Sequence, residues 1–180
     1  VLFRSSRGLG KGSRIALMVP NLLQAPIALF GALRAGCVIV NCSPLYSARE
    51  LEVQLVDSEA EAIIILENFA ATLQAGIAKT KIREVVITSV GDRLNFPKNI
   101  VVNSVVKYVK KAIPAWHMKH TRLNHVLKLG AQLPQYNDPQ ITLDDIAFLQ
   151  YTGGTTGVQD RKSTRLNSSH TDISRMPSSA

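Results

Sequence analysis

Four short runs in the first half of this 180-residue chain, residues 14–19, 37–41, 61–66 and 84–89, are apolar on consecutive positions rather than on every second one. A strand with one wet face alternates apolar and polar residues, whereas a strand covered on both faces has no reason to. Ile63-Ile64-Ile65 is the clearest case. Helical patterns separate the runs. Residues 22–35 read as a helix entered after Pro20-Asn21 and closed by Gly36. Ser47 and Glu50 have capping-box spacing and open a second helix through Asp57. Asn68 reads as the cap of a third, running to about Thr80. The order β-α-β-α-β-α-β predicts a doubly wound α/β fold, a mainly parallel sheet with flanking helices. Gly8, Gly10 and Gly12 precede their strand rather than follow it, so they read as a turn and not as a dinucleotide fingerprint.

The second half changes character. Between Asp92 and Asp138 there is no acidic residue, while Arg93, Lys98, Lys107, Lys110, Lys111, Lys119, Arg122 and Lys128 supply eight of the 21 Lys and Arg. The other 13 cations balance the 13 acids, so this one segment carries the whole net charge of +8. Val101, Val105, Val109 and Ile113 recur at four-residue steps, predicting an amphipathic helix within residues 97–116 that Pro114 ends. Two readings of it stay open: a helix docked on its own domain, or an interfacial helix meeting anionic lipid through Lys107, Lys110, Lys111 and Trp116. Nucleic acid is disfavoured, because the cations flank valines and few aromatic rings are available for base stacking. A second short helix, residues 122–129, is expected to stop at Gly130. His117, His120 and His125 have no carboxylate near in sequence, so no metal site is expected there. Asp144 and Asp145 read as a solvated turn. With 46% hydrophobic and 19% charged residues the composition is globular, and no apolar run is long enough to span a bilayer. Cys37 and Cys42 read as reduced, buried thiols.

Residues 146–151 form a further apolar run, and Thr152-Gly153-Gly154-Thr155-Thr156-Gly157 follows it. Glycines let backbone N–H groups approach an anion, and hydroxyls add donors that can follow its oxygens. The Gly-Lys-Ser/Thr ending of the common P-loop is missing. Leu149 to Val158 resembles the AMP-binding signature of the adenylate-forming ligases. Within that superfamily, Ile15-Ala16-Leu17-Met18-Val19-Pro20-Asn21, Phe30-Gly31-Ala32-Leu33-Arg34-Ala35-Gly36, Pro44-Leu45-Tyr46 and Lys107-Tyr108-Val109-Lys110-Lys111 resemble bacterial long-chain fatty-acid–CoA ligases. The resemblance covers residues 8–158, read as part of the N-terminal domain of such a ligase.

It implies a two-step reaction in which a fatty carboxylate attacks magnesium-ATP to give an acyl-adenylate, and coenzyme A then takes the acyl group. ATP, Mg2+ and coenzyme A are the implied co-substrates and cofactors, with fatty acid as partner. Thr152, Gly153, Gly154, Thr155, Thr156 and Gly157 are the implied triphosphate contacts. The implied location is cytoplasmic, peripheral at the inner face of the cell membrane. The family continues past Gly157-Val158 with a small residue, a lysine and a glycine, but this chain has Gln159, Asp160 and Arg161. Residues 159–180 hold six serines and show no helical or strand period. They resemble translated sequencing-adapter sequence, as residues 1–7 do, so both ends are expected to be foreign or without a fixed fold. No catalytic residue maps onto the chain, which is expected to be inactive by itself. Another acyl-CoA synthetase of the superfamily, or a non-catalytic nucleotide- or lipid-binding module, stays open as an alternative.

Overall fold

A computed structural model describes residues 8–110, 112–132, 139–152 and 160–165, with the backbone alone for Thr152 and 160–165. The strands are β1 (Arg14–Met18), β2 (Val38–Asn41), β3 (Ala62–Leu66), β4 (Glu84–Thr88), β5 (Thr121–Arg122), β6 (Ile146–Thr152) and β7 (Asp160–Arg165). The helices are α1 (Gln24–Arg34), α2 (Ala48–Asp57), α3 (Ala70–Gly76), α4 (Lys98–Ser104) and α5 (Leu123–Ala131). The sheet order is β5-β4-β3-β1-β2-β6-β7. Every neighbouring pair is parallel except β6 and β7, which are antiparallel. The chain winds from β1 to β2 on one side and then crosses back to place β3 on the other. That reversal makes a crevice at the carboxyl ends of β1 and β3, the usual location of ligands in open parallel sheets.

Continuous apolar strands are explained by the two cores they feed. Ala16, Met18, Ile63, Ile65, Val85 and Ile87 point to the α2 and α3 face, where Leu51, Leu55 and Leu73 meet them. Ile15, Leu17, Ile39, Ile64 and Val86 point to the opposite face, covered by Ala28 and Ala32 of α1 and by Leu123 and Val126 of α5. Successive side chains of a strand alternate between faces, so both sets must be apolar when helices cover both. The capping box holds as expected: Ser47 Oγ accepts from Glu50 N, and Glu50 Oε2 accepts from Ser47 N. Cys37 and Cys42 are buried and form no disulfide, and burial pushes the Cys42 thiol up to about 12.

Four expectations differ from the structure. Asn68 caps no helix. A 3-10 turn at Glu67–Phe69 precedes α3, and the Asn68 amide donates to Ala112 O at 3.0 Å instead. Gly130 does not stop α5, which continues to Ala131. The valine stripe does not form one docked helix to Pro114. α4 gives way to a π-helical segment, Val105–Val109, closed by Lys110 N donating to Val105 O. Widening the turn shifts the stripe's register. Val101, Val105 and Val109 are left exposed, Val109 at 75%, and neither segment has a buried residue. Finally, the aperiodic tail supplies β7. A sheet edge recruits a partner through backbone groups, which needs no apolar period.

Candidate functional site at the carboxyl edge of the sheet

All six parallel strands end on one edge, and two polar assemblies occupy it. The first surrounds the end of β6. Thr152 pairs with Asp160 across the β6–β7 hairpin, so the expected phosphate-binding run connects two antiparallel neighbours. Gly153, Gly154, Thr155, Thr156 and Gly157 themselves lie outside the described residues. What the structure does show is how the strand leading to them is held. Tyr151 Oη donates to Asp57 Oδ2 at 2.5 Å, tying β6 to the last residue of α2. Asn41 Nδ2 donates to Gln150 Oε1 at 3.2 Å, joining the ends of β2 and β6. Gln54 lies one turn before Asp57 on α2 and is fully buried, and its Nε2 donates to Asn41 O at 2.8 Å. One helix thus fixes both strands at the root of the hairpin.

The second assembly lies at the ends of β3, β4 and β5. Arg122 donates to both carboxylate oxygens of Glu67, Nη1 to Oε2 at 2.8 Å and Nη2 to Oε1 at 3.1 Å. Ser89 Oγ donates to Glu67 Oε2 at 2.5 Å and accepts from Arg122 Nη1 at 3.0 Å. Gln24, buried at the start of α1, donates to Ser89 O at 2.8 Å. Burial pushes the Glu67 carboxyl up, but the Arg122 and Ser89 hydrogen bonds and the charges of Arg122 and Lys107 outweigh it. Its pKa therefore lies below the ordinary value. The Glu67 hydrogen bond correspondingly raises Arg122.

Glu67, Ser89 and Arg122 line a cavity of about 390 Å³ together with Asn68, Asp92, Asn103, Lys107 and Asn124. The roof is α4. Gly91 allows its close approach, because a Cβ there would stand 2.8 Å from Asn103 Oδ1 and from Asn99 O. Sequence reading missed this cluster. Glu67, Ser89 and Arg122 are 22 and 33 positions apart, and only the parallel register brings them together. The one available signal is that Glu67 and Ser89 each follow an apolar strand directly; Arg122 lies on the short polar β5 and carries none.

Of the residues expected at a membrane, Lys107 and Lys110 are exposed beside the valine stripe, and Lys111 lies outside the described residues. Trp116 does not join them. It packs half-buried against the α2 and α3 core and meets the His120 ring edge-on at 4.8 Å. Among the described residues no group of three or more His, Cys, Asp or Glu could hold a metal ion, and no helix is long and apolar enough to cross a membrane.

Residues 2–159 match the family model described as AMP-binding enzyme. A long-chain-fatty-acid–CoA ligase of Haemophilus influenzae is 54% identical over 151 residues, covering 83% of this chain and 27% of that protein. One of Bacillus subtilis is 35% identical over 161 residues, covering 86% and 28%. This chain therefore spans about a quarter of the length of the curated relatives it matches. Among solved structures, a long-chain-fatty-acid-CoA ligase from Archaeoglobus fulgidus aligns with a TM-score of 0.65 at 21% identity, over 88% of this chain and 26% of that one. An anthranilate CoA ligase in complex with anthranoyl-AMP aligns with a TM-score of 0.68 at 17% identity, over 88% and 26%. The structural likenesses speak for the fold.

The Glu67 cluster gives a pH prediction. A carboxyl whose pKa is depressed in the folded state contributes stability above its unfolded value, near 4.3, and loses it as pH falls through the folded value. Replacing Glu67→Gln should cost about 1–3 kcal/mol at pH 7. It should also flatten the loss of stability below pH about 4. Urea unfolding across pH 3–7 checks both. Parallel acid limbs for the two proteins would contradict the assignment.

Proposed function

This chain belongs to the AMP-binding enzyme family, and on that premise we propose that it is part of a long-chain fatty-acid–CoA ligase, an acid–thiol ligase. The observation that carries the reading is the Leu149–Val158 signature, standing in a stretch over half identical to such ligases. The proposed reaction joins a fatty acid to coenzyme A with cleavage of ATP to AMP and diphosphate, through an acyl-adenylate.

Within it, the residues of this chain serve the first half-reaction. Charge builds on the triphosphate as diphosphate leaves, and donors already aimed at those oxygens stabilise it. The Thr152, Thr155 and Thr156 hydroxyls and the backbone N–H groups of Gly153, Gly154 and Gly157 are the proposed donors. Asp57, Gln54 and Asn41 hold the strand that delivers them. Magnesium would enter with ATP and shield the phosphate charge. No residue of this chain is assigned to the metal or to coenzyme A.

Asp160 stands beside the loop where the family carries a cation. An opposite charge is wrong for a triphosphate, at roughly 4 kcal/mol for two unit charges about 4 Å apart near a surface. The chain as it stands should thus release no diphosphate above background from ATP, oleate and coenzyme A. A coupled diphosphate assay checks this, and clear turnover would contradict it.

A cytoplasmic, membrane-peripheral location is the second part of the proposal. The exposed face of α4 and the π-helical segment supports it, with Val101, Val105, Tyr108 and Val109 outward among Lys98, Lys107 and Lys110. A fatty-acid substrate partitions into lipid, so an enzyme resting there meets more of it. Each lysine near an anionic surface contributes about 1 kcal/mol. Replacing Lys107, Lys110 and Lys111 by Gln should weaken binding to anionic vesicles by about 3 kcal/mol at most, with added salt weakening it further. Vesicle sedimentation measures the difference. Equal binding of both versions at low salt would remove the electrostatic role.

A further inference from the structure

The groups lining the cavity beneath α4 divide into those whose hydrogen-bonding capacity is used and those with capacity left. Both carboxylates are occupied. Glu67 accepts from Ser89 Oγ and twice from Arg122. Asp92 accepts from Ser89 N at 2.8 Å, Thr88 Oγ1 at 3.1 Å and Asn103 Nδ2 at 3.2 Å.

The donors are not exhausted. Arg122 directs three hydrogen bonds at Glu67 and Ser89, and a guanidinium has five N–H groups. Lys107 donates no hydrogen bond among the described residues, its ammonium standing 5.5 Å from the centre of the Tyr108 ring. Asn124 gives one amide hydrogen to Asp92 O at 3.1 Å and keeps another. Against these, one acceptor is open. Asn68 Oδ1 is buried with no partner, while its amide nitrogen is engaged by Ala112 O. A buried polar atom without a partner is uncommon, and in a cavity it marks where a donor belongs. The lining carries two carboxylates and two cations; with both carboxylates engaged, what it has left to offer is donors on Arg122, Lys107 and Asn124 around one lone acceptor.

We propose that this cavity binds a phosphate group bearing a neighbouring hydroxyl, of the glycerol-phosphate type. Phosphoryl oxygens meet Arg122, Lys107 and Asn124, and the hydroxyl donates to Asn68 Oδ1. Phosphate suits the site better than carboxylate because its oxygens point in several directions and the donors come from β5, the π-helical segment and α5. The volume lies at the lower end of the range for small-molecule pockets. The site is separate from the Thr/Gly run. Three to five strand spacings of ~4.8 Å lie between them, about 15–24 Å, so this assignment does not rest on the ligase reading. Two sources can supply the group: a soluble phosphate ester, or the headgroup of a lipid lying under the exposed face of α4.

The test is an amide NMR titration of the 180-residue chain with glycerol 3-phosphate, with sulfate as an anion lacking a hydroxyl donor, and with phosphatidylglycerol or phosphatidylcholine vesicles. Saturable shifts are expected at Gly91, Asn124 and the Asn68 side-chain amide, with sulfate binding several-fold more weakly. Lys107→Gln, an exposed position whose replacement leaves the core intact, should weaken binding about tenfold, as for loss of a charged hydrogen bond. Thr155→Ala should leave it unchanged. Binding of free glycerol 3-phosphate supports the site with a soluble source. Shifts seen with phosphatidylglycerol vesicles alone support it with a lipid source. Shifts absent from all arms, confined to residues 152–158, or indifferent to Lys107→Gln would overturn the proposal. Equal affinity for sulfate would overturn the hydroxyl contact to Asn68.

Discussion

Burial of β1 on both faces and along both edges is the constraint on which the rest of the molecule depends. Its backbone pairs with β2 on one side and β3 on the other, and Ile15, Ala16 and Met18 are completely buried. A strand so placed leaves no N–H or C=O group without a ladder partner, and both its faces must find an apolar cover. Helices α1 and α5 answer on one face, α2 and α3 on the other. The winding reverses at this strand, so the same constraint opens the crevice at its carboxyl end. The position of every polar residue discussed above follows from that geometry.

Two cross-ties then turn a sheet edge into defined sites. On one flank, Asp57 and Gln54 of α2 hold Tyr151 and Asn41, so the strand entering the Thr/Gly run is fixed to a helix rather than hanging from the sheet. On the other, the Glu67–Arg122 pair joins β3 to β5 through the whole width of β4. Arg122 keeps part of its side chain in water. Glu67 has three donors, which is what makes burial of its charge tolerable, since a buried charge with one partner removed is strongly destabilising. Buried polar networks of this kind hold a fixed geometry more than they add stability. Fixed geometry is what a phosphate site requires.

The layered fold was legible in the sequence because its cause is local. Ile63-Ile64-Ile65 without alternation implies two covered faces, and Ser47 with Glu50 marks a helix start from four residues. The Thr/Gly run is likewise one contiguous string, but Gly153 to Gly157 lie outside the described residues. What escaped depends on register. Glu67, Ser89 and Arg122 share no local pattern and meet only once three parallel strands are aligned. The valine stripe misled because a four-residue period marks an apolar face without saying what covers it: Val101, ahead of the π-helical turn, is already exposed, as are Val105 and Val109. Trp116 looked like an interfacial anchor by its neighbours, yet it lies beyond the helical segment and its ring packs on the core. Aperiodic residues 160–165 gave no sign of a strand, because an edge strand is recruited by backbone groups rather than by side chains.

Everything proposed for the signature run depends on β6 docking along β2 and pairing with β7 at the carboxyl edge. Interstrand nuclear Overhauser contacts test it directly. Contacts should join Ile39 and Val40 to Phe148 and Leu149, and Tyr151 to Arg161 across the hairpin, with protected amides in residues 148–151. Random-coil shifts and freely exchanging amides over 146–152, with β1 to β4 still protected, would contradict it.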